Sequence, residues 1–171
     1  AYVAFDEAGR IARAAGRRLE LRVVLVWALL KAQGIAPPLG APAKRAYMLD
    51  DMARMAAYHG LPFRLPEPLE VSAHRAARLW LGLSRRDPAC AAPLARRLLH
   101  ARFAEGRDLR ETAVLCTLAG EVGAPPDAAR AEIEDPENAE RLRAGVEAAA
   151  RDGVIGVPFF TLDGEGFFGG D

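Results

Sequence analysis

Residues 153–164 constrain this chain more than any other stretch. A glycine placed to close a helix, Gly153, leads into Gly156-Val157-Pro158, then the strand formers Phe159 to Leu162, then Asp163-Gly164. Proline has no N–H to give a ladder, so it is confined to a strand's first residue, an edge or a bulge. Two geometries satisfy Val157-Pro158: an ordinary trans proline opening a strand, or a cis bond whose sharp turn presents the N–H and C=O of Val157 to a ligand. Asp163-Gly164 is a two-residue turn that suits a hairpin, and it pairs Phe159–Leu162 with Glu165–Phe168.

Ahead of this stretch the chain is mostly helical. Residues 2–15 carry apolar side chains at Val3, Ala4, Ala8, Ile11, Ala12 and Ala15, a helical period closed by Gly16. Residues 19–26 alternate and then turn wholly apolar through Val23, Val24, Leu25 and Val26, which predicts a central strand covered on both faces. Residues 31–42, rich in Gly, Pro and Ala, predict a loop. Helices are then expected over 42–59 closed by Gly60, 72–84, 88–104, 110–122 closed by Gly123, 125–134, and 136–152 closed by Gly153. Prolines just inside the starts and glycines just after the ends give these boundaries.

Composition limits the partners. Length 171 suits one domain, or one domain with a large insertion, and 51% hydrophobic residues can fill a core. The 23 basic and 23 acidic residues cancel, which gives no support to a nucleic-acid partner or an anionic membrane surface. No apolar run reaches the ~20 residues of a membrane span. Cys90 and Cys116 each sit in an apolar helical pattern with no Cys-x-x-Cys and no zinc spacing, so both are expected to be structural thiols and no metal site is expected. A reducing cytoplasm fits this cysteine usage. His59, His74 and His100 fall on predicted helices with no nucleophile at a telling spacing and are read as boundary or surface histidines. The acids Asp50, Asp51, Asp135, Glu137 and Glu140 receive no catalytic role.

Three segments carry a family resemblance: Pro42-Ala43-Lys44-Arg45-Ala46-Tyr47-Met48, Phe103-Ala104-Glu105-Gly106-Arg107-Asp108, and Gly153 through the hairpin to Gly169-Gly170-Asp171. In order and spacing they resemble 2-hydroxychromene-2-carboxylate isomerase and the kappa-class glutathione transferases, within the thioredoxin-like superfamily that includes the DsbA oxidoreductases. The resemblance implies an α/β fold, a thioredoxin-like domain with a large all-helical insertion. Residues 1–31 and 153–171 would form the thioredoxin-like part, and 32–152 the insertion, whose final helix packs back on the sheet. It also implies that Val157-Pro158 is cis. Tyr2 looks like the last residue of a Ser-Pro-x-x-Tyr segment, which puts the first strand and the catalytic serine upstream of Ala1 and a last helix beyond Asp171. No catalytic residue is therefore expected within the chain.

The cofactor implied is glutathione, with a small aromatic substrate as partner and a homodimer as the assembly. In such proteins the residue before the cis-proline pairs its backbone with the cysteinyl part of glutathione, a role that lands on Val157 beside Pro158. A lysine from the insertion, here Lys44, holds a carboxylate. An acid after the hairpin, here Asp171, holds the γ-glutamyl ammonium, with Gly170 where a relative offers a serine. Opposite charges at the two ends would fix the direction of the tripeptide. Three positions depart from the pattern: Ile35 replaces a common asparagine, Val71 an asparagine before Ser72, and Trp27 a small residue. The implied activity is glutathione-dependent cis-trans isomerisation in aromatic degradation. A kappa-like transferase or peroxidase and a non-catalytic glutathione- or partner-binding module are the alternatives; a thiol-disulfide oxidoreductase is disfavoured for want of Cys-x-x-Cys.

Overall fold

The structure is a computed structural model that describes residues 1–69 and 71–170. Among these it holds eight α-helices: α1 Phe5–Ala14, α2 Val26–Ala32, α3 Pro42–Tyr58, α4 His74–Arg86, α5 Ala91–Phe103, α6 Thr112–Glu121, α7 Pro126–Glu134 and α8 Pro136–Arg151. A 3-10 turn, Pro88–Cys90, precedes α5, and the chain ends in strands β1 Phe159–Leu162 and β2 Glu165–Phe168. Among the described residues no helix is long and apolar enough to cross a membrane.

The helices between α4 and α8 build the main core. Leu79, Leu94, Leu115 and Leu118 are fully buried where α4, α5 and α6 meet, and Ile133 adds the apolar side of α7. Burial of each such side chain is worth roughly 1.5–3 kcal/mol. Trp80 joins them, its indole N–H donating to the carbonyl of Ala91 at 2.8 Å, so its one polar atom is satisfied. A smaller cluster, Leu29 with Val146 and Ala149, joins α2 to α8. Helix α8 lies against both α4 and α2.

The expected strand over residues 19–26 is not formed. Residues 17–25 have no regular structure, and α2 already begins at Val26. The segment is half-buried from two sides: Leu21 and Val23 pack on the main core, and Val24 and Leu25 on the smaller one. A ladder needs a neighbouring strand to take its N–H and C=O groups, and β1 and β2 pair only with each other among the described residues. Burial without that partner leaves the segment irregular. The predicted loop over 31–42 is correspondingly shortened, because Lys31 and Ala32 complete α2.

The remaining boundaries follow the local chemistry. Helix α8 starts where the Asp135 carboxylate accepts the N–H of Glu137 at 2.8 Å, and Pro136 fills the first helical position. It ends at Gly153, whose φ of 74° lets the N–H of Val154 reach back to the carbonyl of Ala149 at 3.0 Å. The hairpin pairs Phe159 with Phe168 and Leu162 with Glu165, and Asp163 and Gly164 both take positive φ, as a type I′ turn requires. Arg17 holds that turn from the end of α1 through two 2.9 Å bonds to the Asp163 carboxylate.

Candidate functional site

The bond between Val157 and Pro158 is cis, as the resemblance implies; the residues by themselves leave a trans proline open. Local packing explains the glycine that precedes it. A Cβ on Gly156 would stand 2.5 Å from Cε2 of Phe168, so only glycine lets the second strand's ring close over this turn. The far end of the hairpin returns to the same place, where the N–H of Gly169 donates to the carbonyl of Pro158 at 3.1 Å. Gly170 then lies beside Ala4, the N-cap of α1, and beside the Pro158 ring; a Cβ there would be 3.0 Å from Ala4 Cβ and 4.0 Å from Pro158 Cγ. The start of α1, the cis-proline and Gly170 therefore share one spot.

Val157 is presented rather than packed. It is 39% exposed, and among the described residues neither its N–H nor its C=O has a hydrogen-bond partner. Its side chain borders a cleft of about 430 Å³, whose other walls are the start of α2, Pro37 and the approach to α4. From α2 come Val26, Trp27 and Ala28; from the approach to α4 come Val71, Ser72 and Ala73. Two of the three departures from the family pattern, Trp27 and Val71, thus line this cleft. Ile35 does not.

Gln33 fixes the geometry between α2 and this turn. Its side-chain amide donates to the carbonyls of Ala150 and Val154, at 3.3 and 3.0 Å, tying the end of α2 to the end of α8 just before Val157. The same packing brings Ser72 and His74 together, with Ser72 Oγ 2.9 Å from His74 Nδ1. Burial, then the charges of Arg78 and Arg75, lower the His74 pKa below its ordinary value, so the imidazole is neutral at pH 7. Sequence reasoning set His74 aside and gave Ser72 no role. A serine two residues ahead of a histidine at a helix start was the available signal.

The other expected site residues lie as follows. Lys44 is exposed in the first turn of α3, has no partner among the described residues, and is not among the residues that line the Val157 cleft. Asp171 lies outside the described residues. Tyr2 is engaged structurally: its hydroxyl donates to the carbonyl of Pro62 at 2.7 Å and its ring stacks on Phe103 at 5.7 Å. Cys116 is buried and Cys90 partly so, both as free thiols, and burial followed by the Asp87 charge pushes the Cys90 thiol up. A raised thiol is a poor nucleophile. A second hollow, about 370 Å³ between Arg45 and Leu49 of α3 and the segment 65–69, contains none of the expected site residues.

Comparison with known proteins agrees with this architecture. A family model described as DSBA-like thioredoxin domain matches residues 1–171. No curated protein matches the sequence. Among solved structures, the selenomethionine form of 2-hydroxychromene-2-carboxylate isomerase superposes with a TM-score of 0.86 at 21% identity, over 99% of this chain and 82% of that one. A structure described as a candidate protein disulfide isomerase of Nitrosomonas europaea superposes with a TM-score of 0.70 at 17% identity, over 97% of this chain and 80% of the other. At such identities the likeness is one of fold.

Proposed function

Because the chain belongs to the DSBA-like thioredoxin domain family, we propose that it is a glutathione-dependent cis-trans isomerase of the 2-hydroxychromene-2-carboxylate isomerase kind. The observation that carries this is the peptide of Val157, which has no hydrogen-bond partner among the described residues and belongs to a residue that borders a largely apolar cleft and precedes a cis-proline. A backbone N–H and C=O left free at such a turn can take an extended peptide as a short added strand. The cysteinyl unit of glutathione is a peptide of that kind. Its sulfur would then sit near the start of α1, whose aligned peptide dipoles favour a thiolate.

In this account Lys44 binds one glutathione carboxylate, Asp171 the γ-glutamyl ammonium, and Gly170 keeps the space beside Pro158 open. The bound thiolate adds to a conjugated double bond of the substrate, the former double bond rotates as a single bond, and loss of the thiolate restores the double bond in its trans form. Glutathione is regenerated. Disulfide exchange is the chemistry named for the Nitrosomonas europaea structure, and it would require a reactive thiolate; Cys90, whose thiol is pushed up, is not suited to supply one. The test is isomerisation of a cis aryl enone by the full-length protein with and without glutathione. Turnover only in its presence is expected, and turnover equal in both would refute the proposal.

A further inference from the structure

We infer that the Val157 cleft accepts a flat, uncharged aromatic electrophile bearing one hydrogen-bonding oxygen, which lies against Trp27 and is held by the Ser72 hydroxyl. This rests on the proposed isomerase chemistry and names its substrate class. The bond changes stay those of thiolate addition and loss, but the substrate carries no carboxylate.

The cleft's walls make the case. Val24, Leu25, Val26, Val71 and Val157 supply apolar surface, and Trp27 supplies the one aromatic ring. About 430 Å³ is room for a molecule of one or two rings. Among the described residues lining it, no side chain is charged, and the only polar side-chain groups are the Ser72 hydroxyl and the indole N–H of Trp27. A carboxylate pushed into such walls loses water and gains no cation. His74 does not supply one. Its Nδ1 lies 2.9 Å from the Ser72 hydroxyl oxygen, and burial and the neighbouring arginines lower its pKa, which favours the neutral imidazole.

The first turn of α4 works the other way, since its N-cap Ala73 borders the cleft and offers no side-chain cap to the free N–H groups. Its attraction for an anion is, however, a fraction of what dehydrating a carboxylate costs. Ser72 suits a neutral oxygen well. When Nδ1 of His74 carries the hydrogen, it donates to Ser72 Oγ and the serine O–H is free to donate to a substrate carbonyl. As thiolate sulfur bonds to the β-carbon, the double-bond pair moves toward that carbonyl oxygen, and the serine O–H stabilises the charge arriving there. Expulsion of the thiolate returns the pair.

A matched pair of probes tests this: trans-4-phenyl-3-buten-2-one, which is neutral, and trans-benzylidene pyruvate, which presents a carboxylate in place of the methyl. Binding to the full-length protein is read by quenching of Trp27 fluorescence without glutathione, and Trp27→Phe separates its signal from that of Trp80 and any other tryptophan. The neutral ketone is expected to bind at least tenfold more tightly, and Ser72→Ala to weaken it about fivefold with unchanged circular dichroism. Equal or tighter binding of the carboxylate, or quenching that persists in Trp27→Phe, overturns the inference. Calorimetric titration of glutathione runs alongside. Ketone preference without glutathione binding would refute the proposed function and leave the cleft's selectivity standing, whereas glutathione binding with carboxylate preference would refute the selectivity alone.

Discussion

Gly82 of α4 lies directly against the buried carboxylate of Glu132: a Cβ at residue 82 would stand 1.9 Å from Glu132 Oε2 and 2.6 Å from Asn138 Nδ2. Those two side chains are fully buried and mutually bound, Nδ2 donating to Oε2 at 2.7 Å and to the Glu132 carbonyl at 3.0 Å. Arg86 closes the group by pairing with the other carboxylate oxygen. A buried acid is tolerable only with such partners, and Glu132 and Asn138 are both fully buried.

Gly82→Ala should therefore destabilise the protein. Overpacking costs about 1–3 kcal/mol, which outweighs the roughly 1 kcal/mol that alanine gains over glycine in a helix. Gly120→Ala is the control, because Gly120 is helical and a Cβ there meets nothing within 4 Å. It should stabilise by about 0.4–1 kcal/mol. Urea unfolding of both variants checks the opposite signs.

Acid should expose the loop before α6. Arg110 holds Asp108 with its side chain and its backbone N–H, and these bonds lower the carboxyl pKa to about 2. A depressed folded pKa means that the contribution is complete above the unfolded value of 3.8 and disappears as pH falls toward 2. Asp108→Asn should flatten the stability profile between pH 4 and 2, its deficit against the parent shrinking as pH falls through 2 and vanishing only below it. Thermal unfolding across that range provides the measurement.

Both cysteines should be dispensable for turnover. Cys116 is buried in the helical core, and Cys90 has its thiol pushed up, so neither is placed to serve as a nucleophile. Replacing both with alanine should leave glutathione-dependent isomerisation within about twofold, at a stability cost typical of small cavities of ~1 kcal/mol. Loss of turnover in a folded double variant would contradict this.

The helices were legible because their ends are written locally. Gly60, Gly123 and Gly153 follow the last turns of α3, α6 and α8, and prolines open α3, α7 and α8. The hairpin was legible from Asp163-Gly164, whereas the cis bond followed only from the family resemblance, since Val157-Pro158 alone fits either isomer. Residues 19–26 were not, since an apolar Val-rich run reports burial, while strand formation depends on a ladder partner elsewhere. The pairing of Ser72 with His74 is local, two residues apart at the start of α4, and could have been read from that spacing, whereas the reach of Gln33 to Val154 depends on where α2 and α8 settle, which no local pattern encodes. Legibility of the site stopped at the turn itself.

Calorimetric titration of glutathione into the full-length protein at fixed salt tests the central claim most directly. A hydrogen bond to a charged group is worth roughly 1.5–3 kcal/mol, so Lys44→Met and Asp171→Asn should each weaken binding about ten- to a hundredfold. Exposed ion pairs unconnected with the ligand are worth only ~0–1 kcal/mol and would shift binding no more than about fivefold. No measurable glutathione binding by the parent, or binding by both variants as tight as the parent's, would contradict the account.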